Sequence, residues 1–355
     1  MQMACLWREL PFHEDLTLDV YGPRNWRARD DWPVVVFLHS GAWSIGDPST
    51  SAVMLKTWAR CGYVIVAPRY RLSGVARFEV RRFAGPHLLC CLILALCTRK
   101  RKRERSPWVF LACLVLVAWV RCELVQQFVH RMERRGQHRD DRRLLPMELA
   151  SRNARVGALR ERRLQEGFHF PAHLWDCARA VRWVTRHKRK LRADTENKLI
   201  IAGHSAGAHL AAMLIAHPRF LRGVGVAAPG AVRALILISG PYSAARISRF
   251  ALPDMLCSAV FGRSREHWHN CFPLDAARRA SPERWPPTLV LGAEFDYSLQ
   301  AHLWLMRYAL ERRGVDVESH VYTGLTHCSI VTHWRDRHRF VLDDVLAFLD
   351  ARLSS

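Results

Sequence analysis

The chain has 355 residues, half of them hydrophobic, enough for one large α/β domain with insertions or for two ordinary domains. Its formal charge of +22 comes almost wholly from arginine, since only six of the 54 basic residues are lysine. Without a recognisable nucleic-acid module this charge argues against nucleic acid as a partner, leaving an anionic membrane surface or a generally basic exterior. The eleven cysteines form no CxxC pairs, and Cys90, Cys91, Cys97, Cys113 and Cys122 lie in or beside the most apolar part of the chain. Reduced thiols facing the cytosol are expected, with neither a disulfide framework nor a metal site. The amino-terminal stretch, broken early by Arg8-Glu9, predicts no cleaved signal peptide and a protein that is not secreted.

In chain order, "LTLDVYGP" from Leu16 predicts an edge strand and "WPVVVFLHSGAW" a buried strand that runs into a loop. A helix follows around Ala52 to Arg60, then a second buried strand in "CGYVIVAPRYRL". After an interruption come the helix "PAHLWDCARAVRWVTRH", a strand ending near Ala202, a helix from Ala208 to His217, and the strands "VRALILISG" and "PPTLVLGAEFD". The helix "SLQAHLWLMRYALERRG", the strand "VESHVYTG" and a closing helix from about His338 to Leu353 complete the chain. Strands that are continuous apolar runs and alternate with helices predict a mostly parallel sheet with helices on both faces, the α/β class.

Two stretches break this rhythm, so the expected organisation is a core in two parts, 1–74 and 168–355, with an insertion at 75–167 and a small lid at about 244–279. The insertion holds two apolar segments, 84–98 and 107–120, separated by "TRKRKRERS". Each apolar run is about 14 residues, or roughly 21 Å as a helix, short of a ~30 Å hydrocarbon core. One reading is a helical hairpin dipping into one leaflet while basic residues hold headgroups. The other is a pair of buried cap helices. The first reading makes an anionic membrane surface the expected partner and puts the protein on the cytosolic side of a membrane, with the endoplasmic reticulum as the candidate.

The chemistry is signalled by Gly203-His204-Ser205-Ala206-Gly207, the G-x-S-x-G form of a nucleophile elbow between a buried strand and a helix. Small residues two before and two after the serine allow strand and helix to come close, and the first helical amides point at whatever binds beside Ser205. A serine nucleophile needs a base and an orienting carboxylate, expected in the order serine, acid, histidine on loops after strands. Asp296 ends "TLVLGAEFD" and His327 follows "ESHVYTG", so both stand where that order requires. Glu294 is the rival acid. His302, His320 and His333 are rival bases on a predicted helix, strand and loop. "HSGAW" after the first buried strand supplies exposed amides at Gly41 and Ala42, which with Ala206 form the expected oxyanion hole. Trp43 and His204, beside these donors, complete the expected oxyanion and substrate-binding set. The chemistry needs no metal and no organic cofactor.

His39-x-Gly41-Ala42-Trp43, "GHSAGAHLA", "RYRL", "LISGPY", "FDYSL" and "GLTHCSI" together resemble the carboxylesterase/lipase branch of the α/β-hydrolase superfamily. Within it the chain is most similar to prenylcysteine methylesterases, with kynurenine formamidases next. The resemblance covers roughly Leu16 to Leu72 and Phe168 to Leu353 and leaves the insertion unmatched. It implies the α/β-hydrolase fold, a triad of Ser205, Asp296 and His327, and an oxyanion hole at Gly41, Ala42 and Ala206. The implied activity is hydrolysis of a carboxylic ester, a prenylcysteine α-carboxyl methyl ester first, or of an aryl formamide. A hydrolase fold serving as a catalytically silent receptor or scaffold is the reading from another class. Two departures stand out: Ser40 where the family loop usually has glycine, and Arg69 where many relatives have an acidic residue.

Overall fold

The computed structural model describes residues 5–73, 169–227, 230–247, 251–262, 264–332 and 334–353. By compactness the chain divides into Met1–Ser73 with Glu166–Ser355 and, separately, Gly74–Gln165; the described residues belong to the first unit. The insertion at 75–167, with its apolar segments and its membrane reading, lies outside the described residues. Among the described residues no helix is long and apolar enough to cross a membrane.

Eight strands form one sheet: β1 (Cys5–His13), β2 (Leu16–Tyr21), β3 (Trp32–Leu38), β4 (Val64–Pro68), β5 (Ala193–His204), β6 (Ala234–Ile238), β7 (Thr288–Phe295) and β8 (Val317–Thr326), in the order β1-β2-β4-β3-β5-β6-β7-β8. The pairs β1 with β2 and β2 with β4 are antiparallel, and every other pair is parallel. Val34–Leu38, Val64–Ala67, Leu199–Ala202 and Ala234–Ile238 are completely buried. Such continuous apolar runs are what a sheet covered on both faces demands. On one face, Val35, Phe37, Ile65, Ile200, Ile236 and Leu289 pack with Trp58 of α1 (Ala52–Arg60) and with Val345, Phe348 and Leu349 of α6 (Arg339–Leu353). The other face carries α2 (Ala172–Arg186), α3 (Ala206–Ala216) and α5 (Gln300–Glu311). Between β6 and β7 lie several short helices and α4 (Ala251–Phe261).

Two elements differ from the sequence expectation. β1 was not anticipated, because its alternation is broken by a register irregularity and by Glu9 at φ 52°, a bulged edge strand that periodicity does not reveal. β5 begins at Ala193, before its apolar run, since Trp32 and Pro33 pair with Ala193 and Asp194 before a register shift.

The chain leaves β3 for β4 on one side and later reaches β5 on β3's other side. The loops after β3 and β5 therefore diverge at a switch point of the sheet, where an open α/β sheet leaves a crevice beyond its strand ends. The loops after β7 and β8 lie along the same carboxyl edge.

Candidate active site

Ser205 stands between β5 and α3 at φ 55°, ψ −119°, a backbone region that costs about 1–3 kcal/mol for a residue with a side chain. The neighbouring glycines make the turn possible. A Cβ on Gly203 would lie 2.3 Å from the Gly207 carbonyl oxygen, and one on Gly207 would lie 2.0 Å from the Leu38 oxygen. All these atoms are backbone and cannot swing aside, so the elbow tolerates no methyl group at either position. The Ser205 amide donates to Ile238 O at 2.8 Å, and the Ser205 carbonyl accepts from His209 N at 3.1 Å as α3 begins. The side chain makes no hydrogen bond among the described residues, consistent with triads that tighten only around substrate.

Asp296 follows β7 directly and is 3% exposed. Its Oδ1 accepts from His327 Nδ1 at 2.5 Å and its Oδ2 accepts from Ala293 N at 3.2 Å. Burial pushes this carboxyl up, but the hydrogen bond and charge of His327 together with the Ala293 amide outweigh it and hold the group below the ordinary aspartate value. With Nδ1–H committed to the carboxylate, Nε2 of His327 is left as a proton acceptor. The backbone of His327 is fixed at both ends: its N–H donates to Phe295 O at 3.1 Å, and its carbonyl accepts from His204 Nε2 at 2.9 Å. Acid and base loops are thus tied to each other and to the elbow.

The loop after β3 runs through three consecutive positive φ values, Gly41 at 126°, Ala42 at 50° and Trp43 at 58°. A Cβ at Gly41 would sit 1.9 Å from Ile45 O, and the Gly41 carbonyl accepts from both Ser44 N and Ile45 N, at 3.0 and 2.9 Å. Ser40 keeps an ordinary φ, since it is not among the left-handed residues, so its departure from glycine leaves the turn intact. Among the described residues the amides of Gly41, Ala42 and Ala206 donate to no acceptor, and the Ala206 amide begins a helix whose dipole favours negative charge.

The side chains of Trp43 and His204 are buried, at 2% and 3% exposure. The Trp43 indole donates to His209 Nδ1 at 3.1 Å, while His209 Nε2 donates to Cys271 O at 2.7 Å, which fixes the tautomer that lets Nδ1 accept. The Trp43 ring also packs edge-on against Phe261, centroids 5.0 Å apart. Large rings on a backbone this close to the core find lower free energy inside than beside water. The segment expected as a lid, 244–279, therefore supports the oxyanion loop from behind through Phe261, Cys271 and Phe272. His204 lies beside His327, ring centroids 4.8 Å apart, and positions the base. Burial lowers His204 and His209 to about 3, so both are neutral.

The rivals are occupied elsewhere. Glu294 is exposed and accepts from Gly324 N at 2.7 Å. His302, buried on α5, accepts from the amides of Tyr242 and Ser243 at 2.9 and 3.0 Å. His320 lies within β8, and His333 lies outside the described residues. Arg69, the second departure, sits among Asp47, Asp19 and Glu9, with Nε 2.8 Å from Asp47 and Nη1 3.0 Å from Asp19. Sequence reasoning missed what anchors this end of the sheet. Tyr70 stacks on His39 at 4.2 Å and donates its hydroxyl to His39 O at 2.8 Å; Arg71 clasps the fully buried Asp176 of α2. The motif "RYRL" was the available signal.

A family model described as α/β hydrolase fold matches residues 163–331, and one described as BD-FAE matches residues 18–81. No curated protein matches the chain by sequence. Among solved structures, the propionate-bound esterase Est2 of the planctomycete Thermogutta terrifontis is similar at 17% identity and TM-score 0.56, covering 95% of this chain and 89% of that one. An esterase of the fungus Rhizomucor miehei gives 18% identity and TM-score 0.58 over 96% and 80% of the two chains. The hyperthermophilic esterase of the archaeon Pyrobaculum calidifontis gives 18% and 0.56 over 95% and 80%. The chain has the α/β-hydrolase fold.

Proposed function

We propose that Ser205, His327 and Asp296 hydrolyse a carboxylic ester through an acyl-enzyme. The observation that carries this reading is the Asp296–His327 hydrogen bond, set on strand-end loops that are tied through His204 to the strained Ser205 elbow. Ser205 Oγ attacks the ester carbonyl as its proton passes to His327 Nε2. The oxyanion accepts from the amides of Gly41, Ala42 and Ala206, each such donor contributing about 2.7–4 kcal/mol in comparable enzymes. His327 returns the proton to the departing alcohol. Water, deprotonated by the same nitrogen, then releases the carboxylic acid and restores Ser205. Asp296 holds the ring in the Nδ1–H tautomer and stabilises its cation.

Within this class the substrate we propose is a prenylcysteine α-carboxyl methyl ester: the prenylcysteine is the acyl part and methanol leaves first. The support is the motif resemblance at Gly41-Ala42-Trp43 and at Asp296-Tyr297-Ser298. An apolar chain also suits the two solvent-facing aromatics, Phe295 and Tyr297, that flank the acid. A substrate that lives in a bilayer would give the apolar and basic insertion its purpose, on the cytosolic face of a membrane such as the endoplasmic reticulum.

The test is purified protein assayed on short aryl esters, a prenylcysteine methyl ester and N-formylkynurenine, with and without anionic vesicles. Ester hydrolysis is expected, with the prenyl ester favoured when vesicles are present. Ser205→Ala and His327→Ala should each abolish it, and the double variant should lose no more than either single one. Losses that multiply would assign the two residues to separate steps and end the triad reading. Preferred hydrolysis of N-formylkynurenine would transfer the substrate assignment to the formamidases.

A further inference from the structure

The loop that supplies the Gly41 and Ala42 amides is gripped along its length by the segment that follows β4. At its start His39 O accepts from the Tyr70 hydroxyl at 2.8 Å, in its middle Trp43 O accepts from Ser73 N at 2.9 Å, and at its end Asp47 Oδ2 accepts from Arg69 Nε at 2.8 Å. The last grip reaches the oxyanion donors through close backbone contact. A Cβ on Gly46, the neighbour of Asp47, would lie 2.3 Å from Ser40 O, so the returning arm of the loop presses on the outgoing arm one residue before Gly41. Asp47 Oδ1 accepts from Ser49 N at 2.9 Å, while Oδ2 meets the guanidinium. The other side of Arg69 is anchored in the sheet. Its Nη1 and Nη2 donate to the two oxygens of Asp19 at 3.0 and 3.3 Å, and its amide donates to Thr17 O at 2.8 Å. Asp19 belongs to β2, which is paired to β1 on one side and β4 on the other.

We infer that Arg69 is a positioning residue that fixes the oxyanion loop by holding Asp47 against β2. The inference rests on the ester-hydrolase reading and deepens it. Asp19 and Asp47 are 3% and 8% exposed, and Glu9 Oε1 lies 3.9 Å from the same guanidinium. One cation thus joins three carboxylates. Without it, two buried carboxylates face each other where water screens little, and like charges there repel more strongly than in solvent. Asp19 cannot yield, because its strand is paired on both sides; Asp47 sits on a loop and can. Its outward movement carries Gly46 off Ser40 and loosens the turn at Gly41 and Ala42. Oxyanion donors stabilise the transition state only while they are aimed at the place where charge develops. Arg69 therefore acts through the loop, and its loss belongs in kcat and in the binding of an oxyanion, with KM close to that of the wild type.

The experiment uses two soluble probes. One is an activated aryl ester. The other is an aryl trifluoromethyl ketone, whose carbonyl carbon takes the Ser205 Oγ as the serine proton passes to His327 Nε2, leaving a negative oxygen in the hole. In Arg69→Gln, kcat and ketone affinity, each per folded molecule by circular dichroism, should fall together by about 10- to 100-fold, less than the 10²–10³ of a deleted donor. Arg69→Lys, which keeps a cation between the carboxylates, should recover most of the loss. So should Arg69→Gln combined with Asp19→Asn, which removes the repelling charge. Asp47→Asn keeps an acceptor for Ser49 N and should lose about three- to tenfold on both probes, a fraction of a deleted donor. Arg29→Gln, which breaks an exposed pair with Asp31 ahead of β3, should leave both as in the wild type. Unchanged kcat and ketone affinity in Arg69→Gln would overturn the inference and leave the esterase reading standing, as would a loss of kcat without a loss of ketone affinity. If Arg69→Gln does not fold, Asp47→Asn decides: a parallel loss on the two probes supports the inference, and a loss on neither overturns it. A wild type that neither cleaves the ester nor binds the ketone would remove the esterase reading and this one with it.

Discussion

At the elbow a Cβ on Gly203 or Gly207 would lie 2.3 or 2.0 Å from a backbone oxygen, whereas the loops bearing Asp296 and His327 are joined by hydrogen bonds from side chain, amide and carbonyl alike. The nucleophile is held by shape and the acid–base pair by polar contacts. Each region should therefore fail in its own way, the first when volume is added and the second when charge or a proton is moved.

The largest effect is expected where charge is removed. Asp296→Asn keeps the shape but supplies an amide where His327 Nδ1 needs an acceptor, and kcat should fall by about 10⁴, the precedent for a triad carboxylate. Glu294→Gln, two residues away and engaged with Gly324 N, should change kcat little; a greater loss there would move the acid's role to position 294. Steady-state kinetics on one soluble ester decides between them.

Next comes volume. Gly207→Ala forces a methyl group against Leu38 O and His39 O, and strand β3 cannot retreat because its neighbours on both sides are paired to it. The variant should lose about 3 kcal/mol of stability, the upper range for overpacking, measured by denaturant unfolding. A fully stable variant would show that the elbow is looser than its steric contacts imply.

The third effect, shared by several groups and absent at neutral pH, is protonation. Burial holds His39, His173 and His302 at about 4 and His204 and His209 at about 3, against about 6.5 in an unfolded chain. Between pH 6.5 and 4 the unfolded chain binds protons that the folded one refuses, so stability decreases as pH falls through that window. Above about pH 7 these residues add no further dependence. Removing one of them, as in His302→Gln, should flatten the slope slightly; an unfolding free energy independent of pH from 7 to 4 would contradict their burial as neutral rings.

The strands with unbroken apolar runs, the order of elements and the positions of Ser205, Asp296 and His327 were all legible, because each is written in a local pattern: hydrophobic continuity, glycine spacing, a strand followed by a polar residue. What was not legible depended on long-range contact. The contacts of the Trp43 ring, with His209, 166 residues away, and with Phe261, could not be read from its place beside Gly41 and Ala42. His204 turned out to brace His327 across a separation of 123 residues. Arg69 read as a departure until its three carboxylate neighbours, Glu9, Asp19 and Asp47, were seen around it. Strand β1 escaped because a bulge erases the alternation that periodicity detects.

The central claim is that Ser205 carries the acyl group, and the most direct measurement is rapid quenching of the protein during turnover of an activated aryl ester, followed by intact mass and peptide mapping. The account predicts a mass increase equal to one acyl group, located on the peptide that contains Ser205, formed in a burst with the first equivalent of phenol and absent from Ser205→Ala. An acyl group mapped to any other residue, or hydrolysis that continues undiminished in Ser205→Ala, would contradict it.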